Sequence, residues 1–322
     1  MAVVGAGYWG RKLVKEYLSL SRIRDDIRLK RIVDCDLDRL KSMASELTLP
    51  NDMLLTDLSR LFKDDTVQAV HIATPNDTHF PLGMAVLESR RHLLLEKPMG
   101  LTMREAVKLA RRAEEQSVVF HVGHIFRFNN AIRQTRSLIG SQIIGKPLYY
   151  KLQWETSMKP PEGRDIVFDL GPHPIDVLNY LSNEWPDRVL AVGRSFVRRQ
   201  LHQEDAAEAI AEFKDDIFAC ISMSWLYSGP RRRMVSVVGD AGCIEVDALD
   251  QQIRTWSGGH STDHPVQANN TIEAMIAHFV DSILKGEPAQ NSALVGTMTV
   301  GVLSAMRESM KVGRFVNVLG SD

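Results

Sequence analysis

The stretch VVGAGYWGRKL, Val3–Leu13, decides how the rest of the chain is read. Gly5, Gly7 and Gly10 stand at the spacing G-x-G-x-x-G. An apolar strand, Ala2 to Val4, leads into them. A helical run, Tyr8 to Leu20, leads out with Leu13, Val14, Tyr17 and Leu18 on one face. A strand before and a helix after are the context in which this spacing signifies a dinucleotide site and not a plain turn. Gly5 permits the tight turn, Gly7 lets the backbone approach a pyrophosphate, and Gly10 allows helix and strand to pack closely. The helix start offers N–H groups and a positive dipole end to the phosphates. Tyr8 and Trp9, inside the motif, are assigned to the same cofactor contact. Only four residues precede Gly5, so a natural start upstream of Met1 is an expectation.

Working outward, Asp34 ends the next apolar run, LKRIVD, 24 residues past Gly10. An acid there can bind both ribose hydroxyls of NAD and repel a 2′-phosphate. Asp36 competes for that role, and Arg39 leaves NADP open. The alternation continues with VQAVHIA, the helix FPLGMAVLESR, HLLLE, the helix MREAVKLARRAEEQ and VVFHV. Such alternation with nearly continuous apolar strands predicts α/β architecture, a doubly wound parallel sheet forming an N-terminal Rossmann domain over 1–122.

The pattern changes after Gly123. A helix over Asn130 to Ile139 precedes KPLYYKLQWE, where Leu148, Tyr150, Leu152 and Trp154 alternate with polar neighbours. DRVLAVGRSFV, AEAIAEF, IFACISMSWLY, RMVSVVG and CIEVDAL follow as further strands. They predict a C-terminal α+β domain over 123–322, built on a large, mostly antiparallel open sheet. Two closing helices are each stopped by a glycine, Gly286 and Gly313. Thr156 to Arg164, with Pro160, Pro161 and Gly163, reads as a loop bordering the substrate.

Composition narrows the function. A formal net charge of -1 over 322 residues argues against a nucleic-acid footprint. No apolar run is long enough to span a membrane, and MAVVGAG lacks the basic start of a signal peptide. Cys35, Cys220 and Cys243 read as reduced thiols, so a cytoplasmic protein is expected.

Three stretches carry the chemistry: ATPNDTHF (Ala73 to Phe80), LLLEKPMG (Leu93 to Gly100) and FDLGPHPID. The first two follow strands, at the carboxyl edge where open α/β sheets bind ligands. Lys97, at such a strand end, can hold a substrate hydroxyl and ease its deprotonation. The third gives Asp169, His173 and Asp176. Asp169 and His173, four apart, can share one face at a helix start. An imidazole titrating near neutrality can take an alcohol proton, with Asp169 orienting it or touching substrate. Asp169, His173 and Asp176 are also possible metal ligands, as are His121 and His124. No CxxC or HExxH pattern supports either set, and no metal is expected.

GAGYWG, ATPNDTH, EKP and D-L-G-P-H-x-x-D in this order resemble the Gfo/Idh/MocA oxidoreductase family, over nearly the whole chain. The resemblance implies a nicotinamide cofactor and redox chemistry at a secondary carbinol of a sugar, polyol or nucleotide sugar. It implies Lys97, His173 and Asp169 as the catalytic set, contributed by different domains to one coenzyme. Gly5, Gly7, Gly10 and Asp34 would hold the dinucleotide, with Thr74, Pro75, Asn76 and Glu96 at the nicotinamide end. Members pair through the open sheet, so a homodimer or homotetramer is expected. GHIFRFNNAI followed by GRDIVFDLGPHPID is most similar to the UDP-N-acetylglucosamine 3-dehydrogenase branch. Phe126, Asn130 and Pro174 depart from its pattern. Arg127, Arg164 and Asp176 are the residues expected at the substrate.

Overall fold

In the computed structural model, which describes residues 1–161, 163–201 and 203–318, the chain forms two compact units. The first comprises Met1–Gly123 with Ile272–Thr297; the second comprises His124–Thr271 with Met298 onward.

The first unit begins with β1 (Ala2–Val4), α1 (Tyr8–Ile23), β2 (Arg31–Val33), α2 (Leu37–Leu47), β3 (Leu54–Leu55) and α3 (Leu58–Leu61). It continues with β4 (Ala69–Ile72), α4 (His79–Glu88), β5 (His92–Leu95), α5 (Met103–Glu115) and β6 (Phe120–Val122). The six strands lie in the order β3-β2-β1-β4-β5-β6, all parallel. Both faces are covered, so β1, β4 and most of β5 are buried along their length. That burial is why the strands read as continuous apolar runs. Strand order reverses between β1 and β4, and the crevice outside their carboxyl ends is the natural ligand site of such a sheet. Helix starts are written locally. In α5, Thr102 accepts from the Glu105 N–H while the Glu105 carboxylate accepts from the Leu101 N–H, a reciprocal cap.

The second unit comprises α6 (Asn130–Gly140), β7 (Pro147–Glu155), α7 (Ile166–Leu170), α8 (Pro172–Ser182), β8 (Arg188–Arg194), β9 (Ala206–Glu212) and β10 (Phe218–Ser224). Next come β11 (Arg232–Gly239), β12 (Cys243–Asp247), β13 (Gln252–Ser257) and β14 (His260–His264). After α9 (Thr271–Lys285) and α10 (Ala293–Val312), the short β15 (Val316–Asn317) completes the sheet. Nine strands run β14-β13-β12-β11-β7-β10-β9-β8-β15, antiparallel except for the β7–β10 pair. Tyr150, Leu152 and Trp154 of β7, Ala219, Ile221 and Met223 of β10, and Val235 and Val237 of β11 bury one face. The other face stays accessible, with Tyr149 and Phe218 stacked on it. Leu148, grouped with the buried set by alternation, is exposed near the strand's start.

One boundary differs from the sequence division at 122/123. Residues 272–297 pack with the first unit. Phe279 of α9 stacks edge-on against His121 of β6, with ring centroids 5.1 Å apart. Asn291 Nδ2 donates to the Val122 carbonyl at 2.5 Å, and Arg24 pairs with Asp281 at 2.7 Å. An apolar helix face shows that it is buried, and not which core buries it. Gly286 and Gly313 do end α9 and α10, at φ of 71° and 67°.

Candidate active site

The glycine turn is built as its spacing requires. Gly5 has φ +105°, and a Cβ there would lie 2.3 Å from the Ala73 carbonyl oxygen. Its N–H donates to Val33 O at 2.7 Å, tying β1 to β2. A Cβ on Gly10 would stand 1.8 Å from Gly5 O, so α1 sits against the turn as only glycine allows. At Gly7 a Cβ would meet nothing within 4 Å, which leaves the backbone open to a ligand. Gly7 caps α1 without a side-chain hydrogen bond, so the first N–H groups of the helix remain for an anion. Tyr8 is largely exposed at this helix start.

Asp34 follows β2. Its Oδ2 accepts from the Ala6 N–H at 2.7 Å and lies 3.4 Å from Arg39 Nη1; Oδ1 accepts from the Asp36 N–H at 2.9 Å. Asp36, the competing acid, is consumed as the cap of α2, accepting from the Arg39 N–H. Asp34 is therefore the acid at the turn.

Thr74, Pro75 and Asn76 leave β4 at the switch point. His79, at the start of α4, ties this loop to the one bearing Lys97. Its Nε2 lies 3.0 Å from Thr74 O and its Nδ1 2.7 Å from Pro98 O. Burial holds this imidazole below its ordinary pKa, outweighing the two carbonyls that favour the charged form. A neutral ring donates to one carbonyl at a time. His79 lay inside the quoted stretch ATPNDTHF without a role. The signal was a histidine near a loop that must be held.

Glu96 turns inward. Its carboxylate is 3.4 Å from His71 Nε2, and the His71 Nδ1 is 3.2 Å from the Tyr17 hydroxyl. Burial raises its pKa, but His71, the Trp9 indole and Lys97 together win and hold it below the carboxylate norm. A Cβ on Gly123 would come within 2.7 Å of Glu96 Oε2, so that glycine makes room for the carboxylate.

In the second unit the DLGPH stretch is two helices. Asp165 caps α7, accepting from the Val167 and Phe168 N–H groups. Asp169 lies in α7 and His173 in α8, with the break at Gly171. The expectation of one shared helix fails because Pro172 opens a new helix, having no N–H to continue the old one. Arg164 Nη1 lies 3.3 Å from Asp169 Oδ1. The His173 ring packs edge-on against Phe126 at 5.3 Å, and Phe126 packs likewise against Trp154.

Arg127 and Asp176 were expected at the substrate, and the structure commits them to each other instead. Arg127 Nε donates to Asp176 Oδ1 at 2.6 Å and Nη2 to Asn179 Oδ1 at 2.6 Å. They are 6% and 1% exposed, a buried ion pair holding the segment after β6 against α8. No cluster of metal-ligating side chains exists among the described residues. No described helix is long and apolar enough to cross a membrane, and the three cysteines are unpaired.

A parallel sheet in the order 3-2-1-4-5-6 with an open, glycine-lined cradle at its switch point is the architecture of a dinucleotide-binding domain. Two family descriptions match: the oxidoreductase family with an NAD-binding Rossmann fold over residues 1–124, and the GFO/IDH/MocA C-terminal domain over 132–245. The chain belongs to the GFO/IDH/MocA family of oxidoreductases, with an NAD-binding Rossmann fold in its first unit. Among its relatives is UDP-N-acetylglucosamine 3-dehydrogenase of Acidithiobacillus ferrooxidans, 26% identical over 96% of both chains. A solved structure of that enzyme superposes at TM-score 0.84, covering 97% of each chain at 23% identity. An inositol dehydrogenase homologue of Azotobacter vinelandii, complexed with NADH and myo-inositol, superposes at 0.86, with 22% identity over 98% of this chain and 96% of that one. A 2,7-anhydro-N-acetylneuraminate hydratase of Mediterraneibacter gnavus is 26% identical over 77% of this chain and 67% of its own length.

Proposed function

We propose that the chain transfers hydride between NAD and a secondary carbinol of a nucleotide sugar, of the UDP-N-acetylhexosamine 3-dehydrogenase type. The observation that carries the redox part is the first unit's crevice, where the Gly5–Gly10 turn and Asp34 adjoin the loops bearing Thr74 and Lys97. Gly5, Gly7, Tyr8, Trp9, Gly10 and Asp34 hold the dinucleotide, and Thr74, Pro75 and Asn76 line its nicotinamide end. The nicotinamide supplies the two-electron chemistry when bound.

The chain's own residues bind the substrate and handle its proton. Lys97 donates a hydrogen bond to the reacting oxygen and stabilises it as the proton leaves. His173 accepts that proton, and Asp169, in contact with Arg164, steadies the site around it. Asp34 favours NAD; Arg39 beside it would accept the 2′-phosphate of NADP. Likeness along 96% of the UDP-N-acetylglucosamine 3-dehydrogenase supports the nucleotide-sugar reading. An inositol or polyol is the second reading, supported by a myo-inositol 2-dehydrogenase of Thermotoga maritima, 22% identical over 91% of this chain. The accessible sheet face of the second unit suits pairing with another copy into a homodimer or homotetramer.

The test is NADH absorbance with a panel of nucleotide sugars, inositols and free sugars, run with NAD and with NADP. Turnover of a UDP-N-acetylhexosamine with NAD, tenfold or more above the polyols in kcat/KM, is the expected result. Turnover of inositols alone would replace the favoured reading with the second; no turnover across the panel would remove both.

A further inference from the structure

Three arginines of the second unit are buried, and two have a carboxylate partner. Arg127 holds Asp176, and Arg198 holds Asp205 at 2.6 Å while also donating to the carbonyls of Pro161, Arg164 and Glu204. Arg233, the second residue of β11, is different. It is 3% exposed, yet no described carboxylate pairs with it. Its Nη1 donates to Arg232 O at 2.6 Å and to Glu155 O at 3.2 Å. Nε and Nη2 have no partner among the described residues. These two nitrogens form one edge of the guanidinium, the edge that grips a carboxylate or phosphate with two parallel hydrogen bonds. Arg91, buried in the first unit, shows the contrast: its nitrogens are spread over four carbonyls.

A buried charge without a counter-charge is expensive, and proteins avoid it unless something else supplies the pairing. Here the surroundings deepen the deficit. Arg231 and Arg232 adjoin Arg233, and Glu155, across the ladder, lies 3.4 Å from Arg232. Burial and the Arg231 charge draw the Arg233 guanidinium down to about 9.

The position is as informative as the charge. Arg233 pairs across the ladder with Trp154 and lies over its indole, 5.9 Å from the ring centre. Trp154 contacts Phe126, and Phe126 contacts His173, each with centroids 5.3 Å apart. One continuous line of rings joins the unpaired guanidinium to the histidine of the proposed reaction.

We infer that the free edge of Arg233 is the anchor for a carboxylate or phosphate carried by the substrate, so that the enzyme acts on an anionic sugar. This rests on the reading of His173 given above and extends it by fixing the charge class. A neutral polyol would leave the cation uncompensated.

The test is calorimetric titration of the NAD-loaded enzyme, which needs no turnover. Glucuronate supplies the carboxylate arm, UDP-N-acetylglucosamine the phosphate arm, and myo-inositol the neutral reference. The wild type should prefer one anionic ligand over the neutral one. Arg233→Met should reduce that preference by about 10- to 100-fold, the worth of a charged hydrogen-bond pair. Arg233→Lys, keeping the charge without the fork, should fall between. Whichever arm responds names the anion. Equal preference in Arg233→Met and wild type, or a wild type that favours myo-inositol over both anions, overturns the inference. Thermal unfolding guards against a folding artefact: loss of an uncompensated buried charge should leave the melting temperature unchanged or higher. A cooperative but clearly lower melting temperature would make Arg233 a structural residue and overturn the inference as well. Binding that depends on Arg233 without NADH formation would sink the hydride reading alone.

Discussion

Substituting alanine separately at Gly7 and Gly10 divides the cofactor site into its two physical requirements. At Gly10 the new methyl would lie 1.8 Å from Gly5 O, where real Cβ atoms stay beyond 3.0 Å, so α1 must retreat from β1. The obstacle is backbone, which cannot rotate aside. Overpacking of this kind costs about 1–3 kcal/mol, and alanine recovers about 1 kcal/mol of helix propensity. The net loss is about 1 kcal/mol, which lowers the melting temperature by roughly 2–4 °C. Gly7 is the converse. Its φ of -70° suits any residue and its Cβ position is empty. The unliganded protein should lose at most about 1 kcal/mol, the difference between glycine and alanine at a helix cap. The methyl then occupies the approach of the pyrophosphate, and NAD should bind roughly 10- to 100-fold more weakly. Differential scanning calorimetry without ligand and titration with NAD measure both quantities. If Gly7→Ala binds NAD like the wild type, the phosphates lie elsewhere. If Gly10→Ala melts like the wild type, the close helix–strand packing is not a constraint.

Lys97→Ala and His173→Ala should each lower turnover by about 10²-fold or more while NAD affinity stays within a few fold, by steady-state kinetics and titration. His79→Phe removes the bridge between the Thr74 and Pro98 carbonyls; it should cost about 1–3 kcal/mol and depress kcat, with His79→Gln recovering part of both. His121 is buried beside His278 and Phe279, and burial lowers its pKa to about 3. The unfolded chain binds this proton below about pH 6.5 and the folded one does not, so stability is full above that pH. It falls by about 1.4 kcal/mol per pH unit toward pH 3, and acid titrations of His121→Phe should lack that slope.

The first sheet was legible because local rules and tertiary packing agree there. Buried parallel strands must be apolar throughout, and the Gly5–Gly10 spacing falls between a strand and a helix, the context that gives it meaning. The β13–β14 hairpin was not identified, because QIRTWS and HSTDH alternate weakly and β14 is mostly exposed, although Gly258 and Gly259 mark its turn. The destination of α9 was hidden for a different reason, since amphipathicity names a face and not its partner. Among site residues, Asp34 and Asp36 competed on position alone, and what sets them apart is the capping of α2 by Asp36, visible only in the structure. The Arg127–Asp176 pair was not recognisable, because residues 49 apart in sequence give no sign that they meet. Arg233 sits in an RRR run that reads as solvated charge, and only its burial sets it apart.

The return of 272–297 to the first unit changes what counts as a separable module. A gene cut after residue 123 would strip the nucleotide-binding half of the helix that covers His121 and of the Asn291 amide that pairs with Val122. Any exchange of substrate-binding halves between relatives, in evolution or at the bench, has to carry two separate stretches, 124–271 and 298 onward, and leave the segment between them behind, so it takes three junctions where a simple fusion takes one.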